Sequence, residues 1–243
     1  MAAPLVANGV LVSGTTGGEH ATRGFLIGSD PETGKELWRT HMIPAPGEPG
    51  HETWPKTADS IPDAWKVGGA STWQNGSYDP ELDLVYWGVG NAGPYNPKYR
   101  GNGDALYTNS VVAIRPKTGK IEWHYQYTPN DMYDVDSTNE LVLAEIRIDG
   151  QMRKVVLNGN KNGFFYVIDR SNGKFISGTP FAKVNWALGL DEVTGRPIVN
   201  PDAKYSEAES VNITPGPGGA HNWSPMSFTP NLGLLYLSGQ SGG

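Results

Sequence analysis

Apolar positions in this chain fall in short alternating or continuous runs, and clusters of Gly, Pro, Asn and Asp separate them. Long helical periodicity is scarce. This pattern predicts strands joined by tight turns. The expected strands are Leu5–Ser13, Gly24–Gly28, Leu84–Gly88, Ser110–Ile114, Glu140–Ile148, Lys154–Leu157, Phe164–Ile168 and Leu234–Ser238. The opening stretch as far as Gly14 reads as a β-hairpin entered in mid-domain.

A repeat runs through the pattern. Ser29-Asp30-Pro31-Glu32-Thr33-Gly34-Lys35-Glu36-Leu37-Trp38 matches Ile114-Arg115-Pro116-Lys117-Thr118-Gly119-Lys120-Ile121-Glu122-Trp123, and Ile168 to Ile176 is a weaker copy. Each reads as strand, turn with Gly at a positive-φ position, then strand. A second type, Ser77-Tyr78-Asp79-Pro80 to Tyr86, is echoed by Ser227-Phe228-Thr229-Pro230 to Tyr236. Hairpin repeats tens of residues apart predict an all-β fold, part of a β-propeller with about four to five four-stranded blades. Trp38 and Trp123 would dock between neighbouring blades, although ordinary core packing would place them in the same fold. Residues 39–67 and 92–109 read as long loops over one face. No linker divides the chain, so residues 1–243 are expected to belong to a single propeller domain, cut at both ends.

Composition narrows the chemistry. Among 243 residues, 37% are hydrophobic and 18% charged, a globular composition. The net charge of −6 provides no basic footprint for nucleic acid. Cysteine is absent, which removes disulfides, thiolate catalysis and Cys-ligated metal centres. No apolar run approaches the length of a membrane helix, and the N-terminus lacks the pattern of a signal peptide.

The stretch with the most chemical content is Thr128 to Asp136, ending Tyr133-Asp134-Val135-Asp136. In an extended segment Asp134 and Asp136 would point to one side. Two carboxylates held together repel unless a cation sits between them. The pair points to a hard-metal site or an acid/base site; a solvated acidic loop is the plainer alternative.

Taken together, the motifs resemble the pyrroloquinoline quinone (PQQ)-dependent alcohol dehydrogenases of the methanol/ethanol type. The resemblance covers essentially the whole chain. Its anchors are Gly17-Gly18-Glu19-His20 to Phe25, Gly68-Gly69-Ala70-Ser71-Thr72-Trp73, Gly88-Val89-Gly90-Asn91 to Asn96, Thr128 to Asp136, Lys161-Asn162-Gly163-Phe164-Phe165-Tyr166 and Gly219-Ala220-His221-Asn222-Trp223. It implies an eight-bladed propeller with tryptophan motifs between blades, in agreement with the repeats.

By the same resemblance, Glu19, Asn91 and Asp134 would bind a metal, and Asp134 would also act as general base toward an alcohol hydroxyl. Trp73 would lie under the PQQ ring. Lys161 would contact the quinone oxygens and stabilise negative charge there. Thr16, Gly17, Gly18, Ser71 and Asn222 would line the cofactor pocket. The five histidines are not spaced as a ligand cluster; His20 beside Glu19 and His221 beside Asn222 could line the site, but structural roles are expected.

Asp136 bears on the metal. Calcium-type members generally carry a small or neutral residue two positions after the catalytic aspartate, whereas lanthanide-dependent members carry a second aspartate. Asp136 therefore favours a lanthanide(III), with Ca²⁺ as the alternative. The implied function is oxidation of a primary alcohol to an aldehyde in the periplasm, with electrons leaving to a cytochrome c-type acceptor. The resemblance also leaves room for a homodimer. Neither an adjacent Cys-Cys pair nor a Cys-x-x-Cys-His haem motif is present. A non-enzymatic propeller scaffold and a quinoprotein sugar dehydrogenase are the competing readings.

Overall fold

The computed structural model describes residues 3–240 and 242. Its described part is built from antiparallel strands and short 3₁₀ turns, in two compact units that meet in sequence at Thr138 and Asn139.

The first unit holds two four-stranded meanders. One is β1 (Leu5–Ala7), β2 (Val10–Ser13), β3 (Phe25–Ser29) and β4 (Glu36–His41). The other is β5 (Ser77–Asp79), β6 (Leu84–Gly88), β7 (Ser110–Ile114) and β8 (Ile121–Gln126). The expected strand Leu5–Ser13 is split by Asn8 and Gly9, both at positive φ, which turn the chain back into the hairpin. Strands β6 and β7 are buried at every position. This explains why they read as continuous apolar runs rather than alternating ones. Val12, Leu26, Val85, Trp87, Val112 and Ile114 form one core between the meanders.

The repeat motif occupies the last turn of each sheet. Asp30 accepts hydrogen bonds from the backbone N–H of Glu32 (3.0 Å) and Thr33 (2.8 Å), and Gly34 follows at φ +71°. Trp38, one strand later, reaches the second copy: its ring fills the space where a Cβ on Gly119 would lie. Thr40 Oγ1 also donates to the Gly119 carbonyl at 2.6 Å. Trp38 is thus a contact between adjacent blades.

The second unit holds β9 (Val142–Ile148), β10 (Gln151–Gly159), β11 (Phe164–Asp169) and β12 (Phe175–Pro180) as a third meander. Two hairpins follow, β13 (Ala187–Leu190) with β14 (Pro197–Val199) and β15 (Ser227–Thr229) with β16 (Leu234–Tyr236). The turn of the first hairpin is a further copy of the repeat: Asp191 caps Val193 and Thr194, and Gly195 sits at φ +69°. Each of these repeat turns adjoins a break in strand register, including Gly28/Ser29, Ala113/Ile114 and Val167/Ile168. Among the described residues, three four-stranded sheets and two two-stranded ones agree with the expected all-β propeller.

The two long insertions pack on one another. Trp54 Nε1 donates to the Leu106 carbonyl at 2.6 Å, and Ile61 N–H donates to the Tyr99 carbonyl at 2.9 Å.

Candidate active site

In the first unit, three loops run side by side and are joined through their main chains. Gly69 N–H donates to the Thr22 carbonyl, while the Gly69 carbonyl accepts from Gly24 N–H. Ala70 N–H donates to the Asn91 carbonyl at 2.9 Å and Gly90 N–H to the Ser71 carbonyl at 2.7 Å. Such close approach needs glycine. Gly69 has φ +80°, and a Cβ there would lie 2.7 Å from the Asn91 carbonyl oxygen. A Cβ on Gly90 would lie 2.6 Å from Asp136 Oδ1 and 2.8 Å from Ser71 Oγ. On Gly18 it would lie 3.1 Å from Ser71 Oγ. Gly18, Ser71, Gly90 and Asp136 therefore surround one spot, and Glu19 and Asn91 are chain neighbours of that spot.

Asn91 is buried, and its backbone N–H donates to Asp136 Oδ1 at 2.9 Å. Its Nδ2 points toward the adjacent Ala92 carbonyl at 3.3 Å. Its Oδ1 is buried without a hydrogen-bond partner among the described residues. A buried amide oxygen left without a donor is costly unless something binds it. Tyr95, on the same loop, is exposed. Its hydroxyl is pushed up to about 12, first by burial and then by the charges of Asp134, Glu19 and Asp136, with the Asn91 side chain opposing.

Three carboxylates and an orphan amide oxygen are hard oxygen donors, suited to a cation that accepts many oxygens. The donor set fits the implied metal. It is not a closed cage: among the described residues, no three His, Cys, Asp or Glu side chains are already arranged around a common metal position.

The segment bearing Asp134 is not extended. Asp134 has φ +61°, and the stretch is a loop wound on a buried carboxylate. Asp131 accepts from Tyr133 N–H (2.9 Å), Val135 N–H (3.2 Å) and Asn109 Nδ2 (3.3 Å). Asn109 Nδ2 also donates to the Val135 carbonyl at 2.9 Å. Burial pushes the Asp131 carboxyl up; the N–H donors and the Arg100 charge oppose it. Asp134 and Asp136 therefore do not share one side of an extended strand as their spacing predicts, and the loop takes its shape from Asp131. Sequence reasoning missed that role. The available signal was an Asp with N–H groups two and four residues ahead, the pattern of an Asx turn.

The remaining first-unit residues are less tightly gathered. Thr16 is exposed and Gly17 is half-buried at φ +82°. Thr15, not Thr16, bonds to Thr72: its N–H donates to Thr72 Oγ1 at 2.8 Å. Trp73 is half-buried and lines a cavity of about 400 Å³ with Gly14, Ile27 and Trp87.

In the second unit, Lys161 occupies the turn between β10 and β11. It is buried, and its carbonyl accepts from Ala220 N–H at 3.0 Å. A Cβ on Gly219, at φ +78°, would lie 2.2 Å from Lys161 Cγ, so the lysine stem packs directly on that glycine. Asn139 connects this turn to the other expected cofactor contact. Its Nδ2 donates to the carbonyls of His221 (3.2 Å) and Asn222 (2.9 Å), and its Oδ1 accepts from Lys161 N–H at 3.4 Å. Asn222 is half-buried, with Nδ2 donating to the Gly218 carbonyl at 3.2 Å. His221 is buried and pairs Nδ1 with the Ser238 carbonyl at 2.7 Å. The carbonyl can only accept, so Nδ1 carries the proton. His20 is exposed.

An all-β propeller whose Gly-rich loops gather oxygen donors, with a buried lysine turn in the second unit, defines the class. Residues 1–185 match the family described as "PQQ: Glucose/ethanol/alcohol dehydrogenase, beta-propeller domain", and the chain belongs to that family. It is 47% identical over 249 residues to the quinohemoprotein alcohol dehydrogenase ADH IIB of Pseudomonas putida, covering 97% of this chain and 35% of that protein. The solved quinohemoprotein alcohol dehydrogenase of Comamonas testosteroni superposes with a TM-score of 0.91 at 43% identity, over 97% of this chain and 36% of that one. A europium-containing methanol dehydrogenase gives a TM-score of 0.91 at 34% identity, over 97% of this chain and 43% of that one. The chain thus spans about a third of the length of the curated relatives it matches, 35% in the first comparison. Among the described residues, no helix is long and apolar enough to cross a membrane.

Proposed function

We propose that this chain carries the metal-binding and much of the cofactor-binding surface of a PQQ-dependent alcohol dehydrogenase, which oxidises a primary alcohol to an aldehyde. The observation that carries the reading is the buried Asn91 Oδ1, without a hydrogen-bond partner among the described residues, on a residue whose backbone N–H donates to Asp136. Bound PQQ would supply the two-electron acceptor, and a cation beside it would supply Lewis acidity.

Each residue then has a task. Glu19, Asn91, Asp134 and Asp136 hold the cation through oxygen. Asp134 takes the proton of the alcohol hydroxyl, a transfer that needs a carboxylate within hydrogen-bond reach and little competing water. Lys161 places a buried ammonium where negative charge develops, and its stem is fixed against Gly219. Trp73 offers a flat, rigid surface for the cofactor ring. In the first unit Thr16, Gly17, Gly18 and Ser71 would border the cofactor, and in the second Asn222 is proposed as a cofactor contact.

Asp136 favours a lanthanide(III) over Ca²⁺, because each added carboxylate attracts a trivalent ion more strongly than a divalent one. A similar methanol dehydrogenase is described as containing europium, which supports that choice. The names of the relatives favour an alcohol over a sugar as substrate. We extend the same reading to one propeller domain spanning residues 1–243, a periplasmic location and a cytochrome c-type acceptor; the quinohemoprotein relatives support an electron-transfer partner of that kind.

An equilibrium titration with PQQ, followed by tryptophan fluorescence, tests the reading. It is run with La³⁺, with Ca²⁺ and with neither. Metal-dependent quenching, tighter with La³⁺, is expected. A chain that is folded by circular dichroism yet binds PQQ under no condition overturns the proposal.

A further inference from the structure

We infer that Arg100 is a positioning residue that clamps the Asn91 loop to the Asp134 loop and so sets the spacing of the metal ligands; the inference rests on the metal-site reading above. Arg100 is 1% exposed, at the end of the 3₁₀ turn Pro97–Arg100. Its guanidinium reaches two separate segments. Nη1 donates to the carbonyls of Pro94 (2.5 Å) and Tyr95 (2.8 Å). Nη2 donates to the Asp131 carbonyl and approaches Asn130 Oδ1 at 3.4 Å. The first pair lies three and four residues after Asn91, and Asp131 lies three residues before Asp134.

The geometry needs arginine. A guanidinium presents its donors as a rigid planar fork, so one side chain can hold several carbonyls in fixed directions. A lysine ammonium is a point charge on a flexible stem and cannot span both loops with the same rigidity. The turn that carries Arg100 is itself pinned. Asn96 Oδ1 caps Lys98 N–H at 3.0 Å, and Gly101 packs so closely on Pro55 that a Cβ would lie 1.7 Å from its carbonyl oxygen. Asp131 also receives Arg100's charge. The clamp therefore acts on the carboxylate that shapes the Asp134 loop as well as on that loop's main chain.

Charge and position predict opposite signs. Arg100 is a cation near a cation site. If only its field mattered, removing it would tighten metal binding. If it positions the ligands, removing it weakens binding, and so does a lysine that keeps the charge.

The test is a Tb³⁺ titration of the whole chain in the presence of PQQ, read by sensitised luminescence, for wild type, Asn91→Ala, Arg100→Lys and Arg100→Gln. Residues that orient metal ligands commonly change affinity by about 10–100-fold when replaced. Both Arg100 variants are expected to raise the Tb³⁺ Kd by ~10-fold or more. Arg100→Lys keeps the buried charge and serves where Arg100→Gln does not fold, as judged by circular dichroism without metal. Wild-type affinity in Arg100→Lys, or tighter binding in Arg100→Gln, overturns the positioning role while leaving the metal site intact. A folded wild type that binds no Tb³⁺, or Asn91→Ala binding as well as wild type, sinks the metal-site reading instead, and the positioning role with it.

Discussion

The indole N–H of Trp38 donates to the carbonyl of Pro116 at 2.8 Å, joining two copies of one repeat across 78 residues of sequence. The bond fixes the last strand of one meander on the turn of the next, and the Trp38 ring occupies the space that Gly119 leaves open. This contact, more than either sheet alone, sets the offset between the first two blades.

Trp38→Phe keeps most of the ring and removes the donor. The Pro116 carbonyl then loses its partner, and Thr40 still holds Gly119. A loss of about 1–2 kcal/mol is expected, the usual cost of stranding one partner of a partly buried hydrogen bond. Urea unfolding should show a lower midpoint with an unchanged slope.

Asp136 has two separable duties: it accepts from Asn91 N–H and adds a negative charge to the proposed metal site. Asp136→Asn keeps an acceptor oxygen for the backbone and drops the charge. La³⁺ affinity is expected to fall ~10-fold or more, and Ca²⁺ affinity to fall less. Parallel La³⁺ and Ca²⁺ titrations of the two proteins read this directly. An equal change for both ions would place the effect in loop geometry rather than charge.

Asn139 is the hub of the second unit's candidate residues, bonded to Lys161 and to the carbonyls before and at Asn222. Asn139→Ala leaves buried groups unsatisfied and should cost about 1–3 kcal/mol. PQQ affinity should fall alongside, because the Lys161 turn and the Asn222 loop lose their shared anchor. Thermal unfolding and PQQ titration on the same variant separate the two effects.

The repeat turns give an acid-side pH dependence. Asp191 lies below its ordinary value of 3.8 because Thr194 donates both its hydroxyl and its backbone N–H to it. Asp30 is lowered in the same way by Thr33. A carboxyl lowered in the folded state adds stability that is fully present above 3.8 and is lost as pH falls through the lower folded value. Asp191→Asn keeps a capping oxygen but does not titrate. Its stability should therefore fall less steeply than wild type below about pH 4, measured as unfolding midpoint against pH.

Much of the blade architecture was readable from residues because its determinants are local. The Asp-x-x-Thr-Gly turn carries its own caps and its own positive-φ glycine, so Asp30 to Gly34 announces itself in sequence. The copy at Asp191 to Gly195 is less legible because its flanking strands are short: Pro197–Val199 contains a proline and spans three residues. The proposed ligand residues stand in recognisable motifs, whereas the shape of the loop holding Asp134 does not show in the sequence. Alternation could not foresee Asp134 at φ +61°, since that bend comes from Asp131 and Asn109, whose partners are set by tertiary contacts. Arg100 and Asn139 were invisible for the same reason. Each acts through main-chain carbonyls distant in sequence, and a carbonyl carries no residue signature.

The lacing of the Gly24, Gly69 and Asn91 loops runs through peptide groups, which every residue but proline supplies in full. The frame therefore does not draw on the exposed side chain at 19, while it is intolerant of any side chain at 69 or 90. Mutational tolerance is inverted relative to chemical importance. Glu19, which would touch the metal, is exposed and can be exchanged with little harm to the fold, whereas Gly69 and Gly90, which would take no part in the reaction, are positions the architecture cannot surrender. Such a division lets a lineage change its metal or its substrate by altering side chains on an unchanged lattice of backbone bonds.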